Sequence, residues 1–213
     1  MGCHKGLIDT LAIASTKDDS MDVQARAAMA LTKLAASITL SMDDCYPNLL
    51  DALVVASLSP AGNSVSAVLR VKARDPENRP SMAAHPGILD TLADICLSHS
   101  SRRKSPTLTE NSVADALKDK ENAMRAIMHL TNDNRNRSRM CTPRILDALV
   151  EAATLPDGDA IEEEIRDSAM RAIGRLATEF ENRGAMARHE GLLVAIAHAT
   201  EREARLEAQS KEG

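Results

Sequence analysis

The chain has 213 residues, with 26 basic and 31 acidic side chains and a formal charge of −5. This length suits one domain or a short array of repeats, and the mild acidity argues against a general binder of nucleic acid or anionic membranes. Only Tyr46 and Phe180 are aromatic, and Trp is absent. This composition argues against a β-rich domain and favours closely packed helices with a core of Ala, Leu, Ile, Val and Met.

The sequence has few signals for membrane insertion, secretion or disulfide formation. No apolar run approaches the roughly 18–20 residues that span a bilayer, and no secretory signal precedes the first predicted helix. The cysteines are far apart and form no C-x-x-C pair: Cys3, Cys45, Cys96 and Cys141. We therefore expect an intracellular protein, cytoplasmic or nuclear, with reduced cysteines and no transmembrane segment.

An aliphatic pair recurs along the chain and predicts the start of one kind of helix. Its copies are Leu7-Ile8, Leu49-Leu50, Ile88-Leu89, Ile145-Leu146 and Leu192-Leu193. The separations are 42, 39, 57 and 47 residues, and helical repeats have periods of roughly 40–47 residues. A longer helix is predicted after each of the first four pairs, at 26–35, 65–73, 122–131 and 168–177.

The longer helices carry one apolar stripe. In the last copy, Ala169, Ala172, Ile173 and Leu176 are spaced i, i+3, i+4 and i+7, which places them on one helical face. The preceding copy has Ala123, Ala126, Ile127 and Leu130 at the same positions. The small residues let neighbouring helices approach closely.

A third, shorter helix is predicted near each Asn-Arg element. These elements are Glu77-Asn78-Arg79, Asn136-Arg137 and Glu181-Asn182-Arg183. Gly87 and Gly191 follow two of these helices, where we expect a positive φ.

This order of short, second and third helices resembles the armadillo repeat from residue 2 to about residue 200. The resemblance implies an all-α, right-handed α-solenoid of about four to five units, incomplete at both ends; HEAT repeats, with two helices per unit, are the alternative. The predicted units are 1–36, 40–74, 77–131, 135–178 and 181–203. We predict an inserted loop at 99–110 within the 1–203 array and a charged tail at 204–213.

The same resemblance suggests a binding surface, because the third helices of armadillo proteins line a concave groove. Arg171 and Arg175 project away from the apolar stripe, one turn apart. The five basic residues at these repeat positions are termed the basic ladder: Lys33, Arg125, His129, Arg171 and Arg175. Nuclear-import armadillo proteins hold basic peptides with Trp and Asn, whereas catenin-type grooves are positively charged. Without Trp, the ladder favours an acidic or phosphorylated segment; an ordinary solvated helix face is the alternative.

Other repeated side chains have structural interpretations. His4, His85 and His189 share a repeat position and are interpreted as capping or packing residues, because repeat equivalents do not converge on a metal. Cys3, Cys45 and Cys141 are interpreted in the same way, as occupants of a small buried slot. Met82, Met140 and Met186 are predicted to fill the core. In the predicted loop, Ser105 follows Arg102-Arg103-Lys104 and is a hypothetical phosphorylation site.

No catalytic motif is recognisable, and no catalytic residue, metal or cofactor is predicted. We expect a non-catalytic scaffold for protein–protein interaction, without a small-molecule substrate. The alternative is a structural repeat segment of a larger protein with its binding surface elsewhere. An RNA- or phospholipid-binding solenoid fits the basic ladder, but the acidic total and scarce aromatics oppose it.

Overall fold

A computed structural model describes residues 5–17, 20–37, 49–58, 65–103 and 110–212. Within these ranges the chain is all-helical and has no strand, which confirms the predicted all-α class. The helices are α1 (Lys5–Lys17), α2 (Met21–Ser37), α3 (Leu49–Ser57), α4 (Val65–Arg74), α5 (Arg79–Ala84), α6 (Ile88–Arg103), α7 (Glu110–Leu130), α8 (Asn134–Met140), α9 (Pro143–Ala153), α10 (Ala160–Thr178), α11 (Phe180–Arg188) and α12 (Leu192–Glu212).

Helices with the same sequence motif contact one another in chain order. The helices with aliphatic pairs form the second-helix row, in which α1 contacts α3, α3 contacts α6, α6 contacts α9, and α9 contacts α12. The longer helices form the third-helix row, α2–α4–α7–α10, and the short helices form the first-helix row, α5–α8–α11. Equivalent repeat positions therefore lie side by side along each row.

Burial of the aliphatic pairs explains why two apolar residues recur. The first residue is buried in the four later helices of the row, but Leu7 of α1 is 47% exposed. The second residue is buried in the four earlier helices, but Leu193 of α12 is 63% exposed. The first residue thus packs towards the preceding helix of its row and the second towards the following one, so each pair joins two neighbours.

The apolar stripes of the third helices lie in the core, as their spacing predicts. Ala169, Ala172, Ile173 and Leu176 are buried in α10. All four counterparts in α7 are fully buried. The repeated methionines Met82, Met140 and Met186 are also buried in one continuous cluster, in agreement with core filling.

The Asn-Arg element fastens the end of each third helix. The Asn136 side-chain amide donates to the carbonyl oxygen of Leu130 at 3.2 Å, and Arg137 Nε donates to that of Thr131 at 3.0 Å. Asn182 and Arg183 make the same contacts with the end of α10. The last carbonyl groups of a helix lack partners within it, so the element replaces their missing hydrogen bonds.

The same asparagines connect successive units. Asn136 also donates to the carbonyl oxygen of Arg79 at 3.0 Å, and Asn182 donates to that of Arg137 at 3.1 Å. Both side chains are almost completely buried. A buried polar group without a hydrogen-bond partner costs free energy. The need to satisfy these buried carbonyl groups accounts for the repetition of Asn at this position.

Two histidines form contacts between neighbouring helices of the second-helix row. His85 Nε2 lies 3.0 Å from Asp51 Oδ1, and His189 Nε2 lies 3.1 Å from Asp147 Oδ1. Each pair links the start of one second helix to the preceding one. The predicted packing role therefore describes His85 and His189, whereas His4 lies outside the described residues.

Of the two glycines before the second helices, only one has the predicted positive φ. Gly191 has a φ of +84°, as expected, but Gly87 does not have a positive φ. A Cβ atom on Gly87 would lie 3.0 Å from Val54 Cγ1 of the preceding second helix. Close helix approach therefore explains this glycine.

Two helices extend into segments that the sequence analysis set apart from the helical repeats. Helix α6 continues to Arg103, into the predicted loop at 99–110, because no Gly or Pro interrupts the chain between Ile88 and Arg103. Helix α12 continues to Glu212, across the predicted tail at 204–213. Its last turns are rich in Glu, Ala, Arg and Lys, which are strong helix formers, and Glu201 pairs with Arg205 at 3.7 Å.

Candidate functional site

The basic ladder lies on the third-helix row and outside the buried stripes. Lys33 belongs to α2, Arg125 and His129 to α7, and Arg171 and Arg175 to α10. Because α7 contacts α10, the last four residues lie on adjacent helices. Helix α4 separates Lys33 from them, and its equivalent residues are Ala67 and Val71. The ladder is therefore interrupted, and its charged part is formed by α7 and α10.

Arg125 is already paired within the chain. Its guanidinium is half-buried and lies 3.3 Å from Glu121 and 3.1 Å from Glu164 of the next third helix. Glu121 is buried, so its charge depends on cationic neighbours. Arg125 thus joins α7 to α10, and little of its charge is left for a ligand.

Arg171 is exposed and pairs with Asp167, one turn earlier on α10, at 3.2 Å. Both side chains are more than half exposed. Such pairs contribute little to stability and exchange readily with solvent or other ions. Arg171 is therefore accessible, but it has a competing carboxylate.

Arg175 differs from both of these arginines. It donates from Nη1 to the carbonyl oxygen of Met128 at 3.0 Å, and none of the described carboxylates pairs with it. Burial lowers the pKa of its guanidinium, and the nearby charges of Arg171, Arg137 and Arg79 lower it further. Arg175 is thus a half-buried cation surrounded by other cations.

His129 lies in the same positive environment. Burial is the main cause that lowers the pKa of its imidazole. The positive charges of Arg79, Arg74, Arg175 and Arg125 lower this pKa further. These arginines belong to α5, α4, α10 and α7 itself, in that order. His129 is consequently neutral at pH 7 and would gain a proton more easily beside a bound anion.

Arg79 belongs to this group but was missed by sequence reasoning. It begins α5, and its guanidinium donates to the carbonyl oxygens of Ala73 at 2.9 Å and Arg74 at 2.7 Å. No described carboxylate pairs with it. The repeated Asn-Arg element was the available signal, but its arginines were assigned only to the start of the short helix. Its counterpart Arg137 is neutralised by Glu179 at 3.1 Å.

Two other buried groups with possible chemical roles are Lys120 and Cys96. Lys120 is completely buried and pairs with Glu151 of α9. Cys96 is buried beside this pair, and burial raises the pKa of its thiol to about 12, so it is a poor nucleophile. No cluster of metal-ligating side chains occurs within the described ranges. Cys3, Cys45 and Ser105 lie outside these ranges.

A cleft of about 480 Å³ lies between α10, α12 and the connection before α10. Its lining alternates in charge, with Asp157 lying 2.9 Å from Arg202 and 3.9 Å from the buried Arg166. Among the described residues, no helix is both long and apolar enough to cross a membrane.

Comparison with known proteins does not assign the chain to a group. No protein-family model matches it. No curated protein and no solved structure matches it either. The function must therefore be argued from the geometry of the third-helix row.

Proposed function

We propose that the chain is an armadillo-like α-solenoid that binds an acidic or phosphorylated segment of a partner protein along its third-helix row. The observation that carries this proposal is the position of four basic residues on the adjacent helices α7 and α10, beside the buried stripes. These residues are Arg125, His129, Arg171 and Arg175.

The three rows of helices support the solenoid part of the proposal. In a solenoid, each unit contacts only its neighbours, and equivalent surfaces form a continuous binding face. The contacts within each row follow chain order. The Asn-mediated hydrogen bonds between units provide a repeated connection of the same kind.

The charges support an anionic partner rather than a basic one. Arginine binds carboxylate and phosphate through several directed N–H groups. Arg125 and Arg171 have internal acidic partners, whereas Arg175 has none among the described residues. An anionic segment therefore gains most at Arg175.

Binding to an acidic peptide library tests the proposal. The double variant Arg171→Glu with Arg175→Glu should lose at least tenfold in affinity for acidic peptides, because it replaces attraction by repulsion at the centre of the face. Its melting temperature should change little, because neither residue belongs to the core.

A matched control separates the face from the net charge. Arg188→Glu with Arg205→Glu makes the same change in net charge on α11 and α12, outside the third-helix row. It should leave peptide affinity within about twofold. Equal losses in the two double variants would contradict a site on the third-helix row.

A further inference from the structure

We infer that Arg79, His129 and Arg175 form a phosphate-binding site for a phosphorylated serine or threonine in the segment that occupies the third-helix row. This inference rests on the proposed function and locates its strongest contact. The site includes Arg79 of a short first helix, which is not part of the basic ladder.

Contacts within the chain place the three residues around the ends of α4 and α7. Arg79 is fixed by its hydrogen bonds to the last carbonyl groups of α4. Arg175 reaches from α10 to the carbonyl oxygen of Met128, the neighbour of His129 in the chain. Asn136 of the next short helix binds the main chain of Arg79 at 3.0 Å. Three successive units thus hold these side chains in fixed positions.

The two arginines retain donors for a ligand. A guanidinium has five N–H donors. The described contacts use two nitrogens of Arg79, Nε and Nη2, and one nitrogen of Arg175, Nη1. Arg79 Nη1 and Arg175 Nε and Nη2 are therefore left to donate to an anion while both side chains stay in place.

The neighbouring carboxylates do not neutralise this site. Asp133 is near enough to Arg79 to feel its charge, but the Arg135 side chain is the main cause that holds the pKa of the Asp133 carboxyl below the usual range. Asp133 also accepts a hydrogen bond from the main-chain N–H of Arg135 at 3.0 Å, at the start of α8. Glu121 and Glu164 pair with Arg125 instead. Among the described residues, no carboxylate therefore forms an ion pair with Arg79 or Arg175.

Phosphate suits this arrangement better than a single carboxylate. A phosphorylated side chain carries close to two negative charges and three acceptor oxygens. One bidentate arginine satisfies a carboxylate, whereas two arginines from different units and a histidine offer donors from three directions. The positive neighbours that keep His129 neutral would be offset by a bound phosphate, which would allow the imidazole to take up a proton and donate as well.

The test uses a nine-residue Gly/Ser/Ala peptide with one central phosphoserine, its unphosphorylated form, and inorganic phosphate. We expect the phosphopeptide to bind at least tenfold more tightly than the unphosphorylated peptide. Arg175→Gln and Arg79→Gln should each weaken phosphopeptide binding about tenfold or more, since each removes a charge-assisted contact.

Matched variants control for stability and for charge. Arg183→Gln removes the same helix-end hydrogen bonds as Arg79→Gln, but at the end of α10, away from the site. Arg137→Gln removes an arginine that already pairs with Glu179 and does not belong to the basic ladder. Both control variants should stay within about threefold of the parent, with melting curves recorded for every variant.

A pH series gives an independent measure of His129. The affinity gained between pH 7.5 and 5.5 should be larger in the parent than in His129→Gln, because binding protonates the imidazole. The phosphate of the peptide titrates in both experiments, so its effect cancels when the two pH profiles are compared. Equal pH profiles would overturn the assignment of His129.

The outcomes separate this inference from the proposed function. Phosphopeptide binding that survives Arg175→Gln and Arg79→Gln overturns the phosphate site. Acidic-peptide binding that depends on Arg171 and Arg175 without any preference for phosphoserine overturns the inference but supports the groove. Inorganic phosphate that binds as tightly as the phosphopeptide overturns recognition of a segment, and loss of all peptide binding overturns both proposals.

Discussion

Helices α7 and α10 carry nearly the same motif but lie in different surroundings. On α7, which packs against α4, α6 and α10, the side chains of Leu117, Met124 and Met128 are buried. The equivalent residues of α10 are Glu163, Met170 and Gly174, of which the first and third are exposed. The motif fixes the inner stripe of both helices, whereas the neighbouring helix decides the burial of the opposite side.

The same difference governs the basic ladder. Arg125 of α7 has Glu164 of α10 beside it and becomes a bridge between helices. Arg171 of α10 pairs only with Asp167 on its own helix. Equivalent arginines therefore have different roles, and a repeat position alone does not identify a binding residue.

A pair of methionine truncations gives the largest expected contrast. Met124→Ala on α7 removes a completely buried side chain and should lower the free energy of unfolding by about 2–4 kcal/mol, through lost burial and a new cavity. Met170→Ala, at the half-buried equivalent position, should cost less than about 1 kcal/mol. Urea denaturation of both variants measures the difference. Similar losses would show that α10 is covered as fully as α7.

Replacing the equivalent asparagines that follow α7 and α10 should lower the free energy of unfolding by the same amount. Asn136→Ala and Asn182→Ala each remove two hydrogen bonds to main-chain carbonyl groups, one at a helix end and one in the preceding unit. Each should lower the free energy of unfolding by about 2 kcal/mol, because buried carbonyl groups lose their partners. The same urea experiment checks this, and a small effect at either site would show that water replaces the amide.

Replacing the equivalent arginines Arg125 and Arg171 should give a smaller difference in the free energy of unfolding. Arg125→Gln breaks a half-buried bridge to Glu121 and Glu164 and should cost about 1 kcal/mol of unfolding free energy. Arg171→Gln should cost less than about 0.5 kcal/mol, because its pair is exposed. Repeating both at high salt should reduce the second effect further. A larger loss at Arg171 would reverse the comparison.

The smallest expected effect is on the pH dependence of stability. His129 of α7 has a pKa lowered by burial and by the neighbouring arginines, whereas its α10 equivalent is Arg175. The pKa of His129 is lowered in the folded protein, so the unfolded chain binds more protons as pH falls through about 6.5. The stability contributed by the neutral imidazole is therefore lost on acidification. His129→Gln should lose less stability than the parent between pH 7.5 and 5.5, and the reverse order would contradict this.

Local sequence patterns predicted the helices and their apolar stripes because both depend on spacing along one segment. The aliphatic pairs and the Ala-x-x-Ala-Ile stripe belong to this class. The extension of α6 to Arg103 was not predicted, because the Ser, Pro and basic content of 99–110 was taken as a loop, although no helix breaker precedes Pro106. No secondary structure was predicted for the charged tail, into which α12 continues.

The site was less predictable because its contacts join distant parts of the chain. Arg125 meets Glu164 39 residues later, and Asn136 binds the carbonyl of Arg79 57 residues earlier. No local pattern indicates that Arg175 lacks a carboxylate partner or that Arg79 lies in the same positive cluster. The distinction between a paired and an unpaired arginine requires the stacking of the units.

One binding titration tests the central claim most directly. Arg171 and Arg175 lie one turn apart on α10, but only Arg171 has an acidic partner among the described residues. With the phosphoserine peptide as probe, Arg175→Glu should abolish measurable binding, whereas Arg171→Glu should weaken it only severalfold. Equal losses, or undiminished binding to Arg175→Glu, would contradict an anion site centred on Arg175.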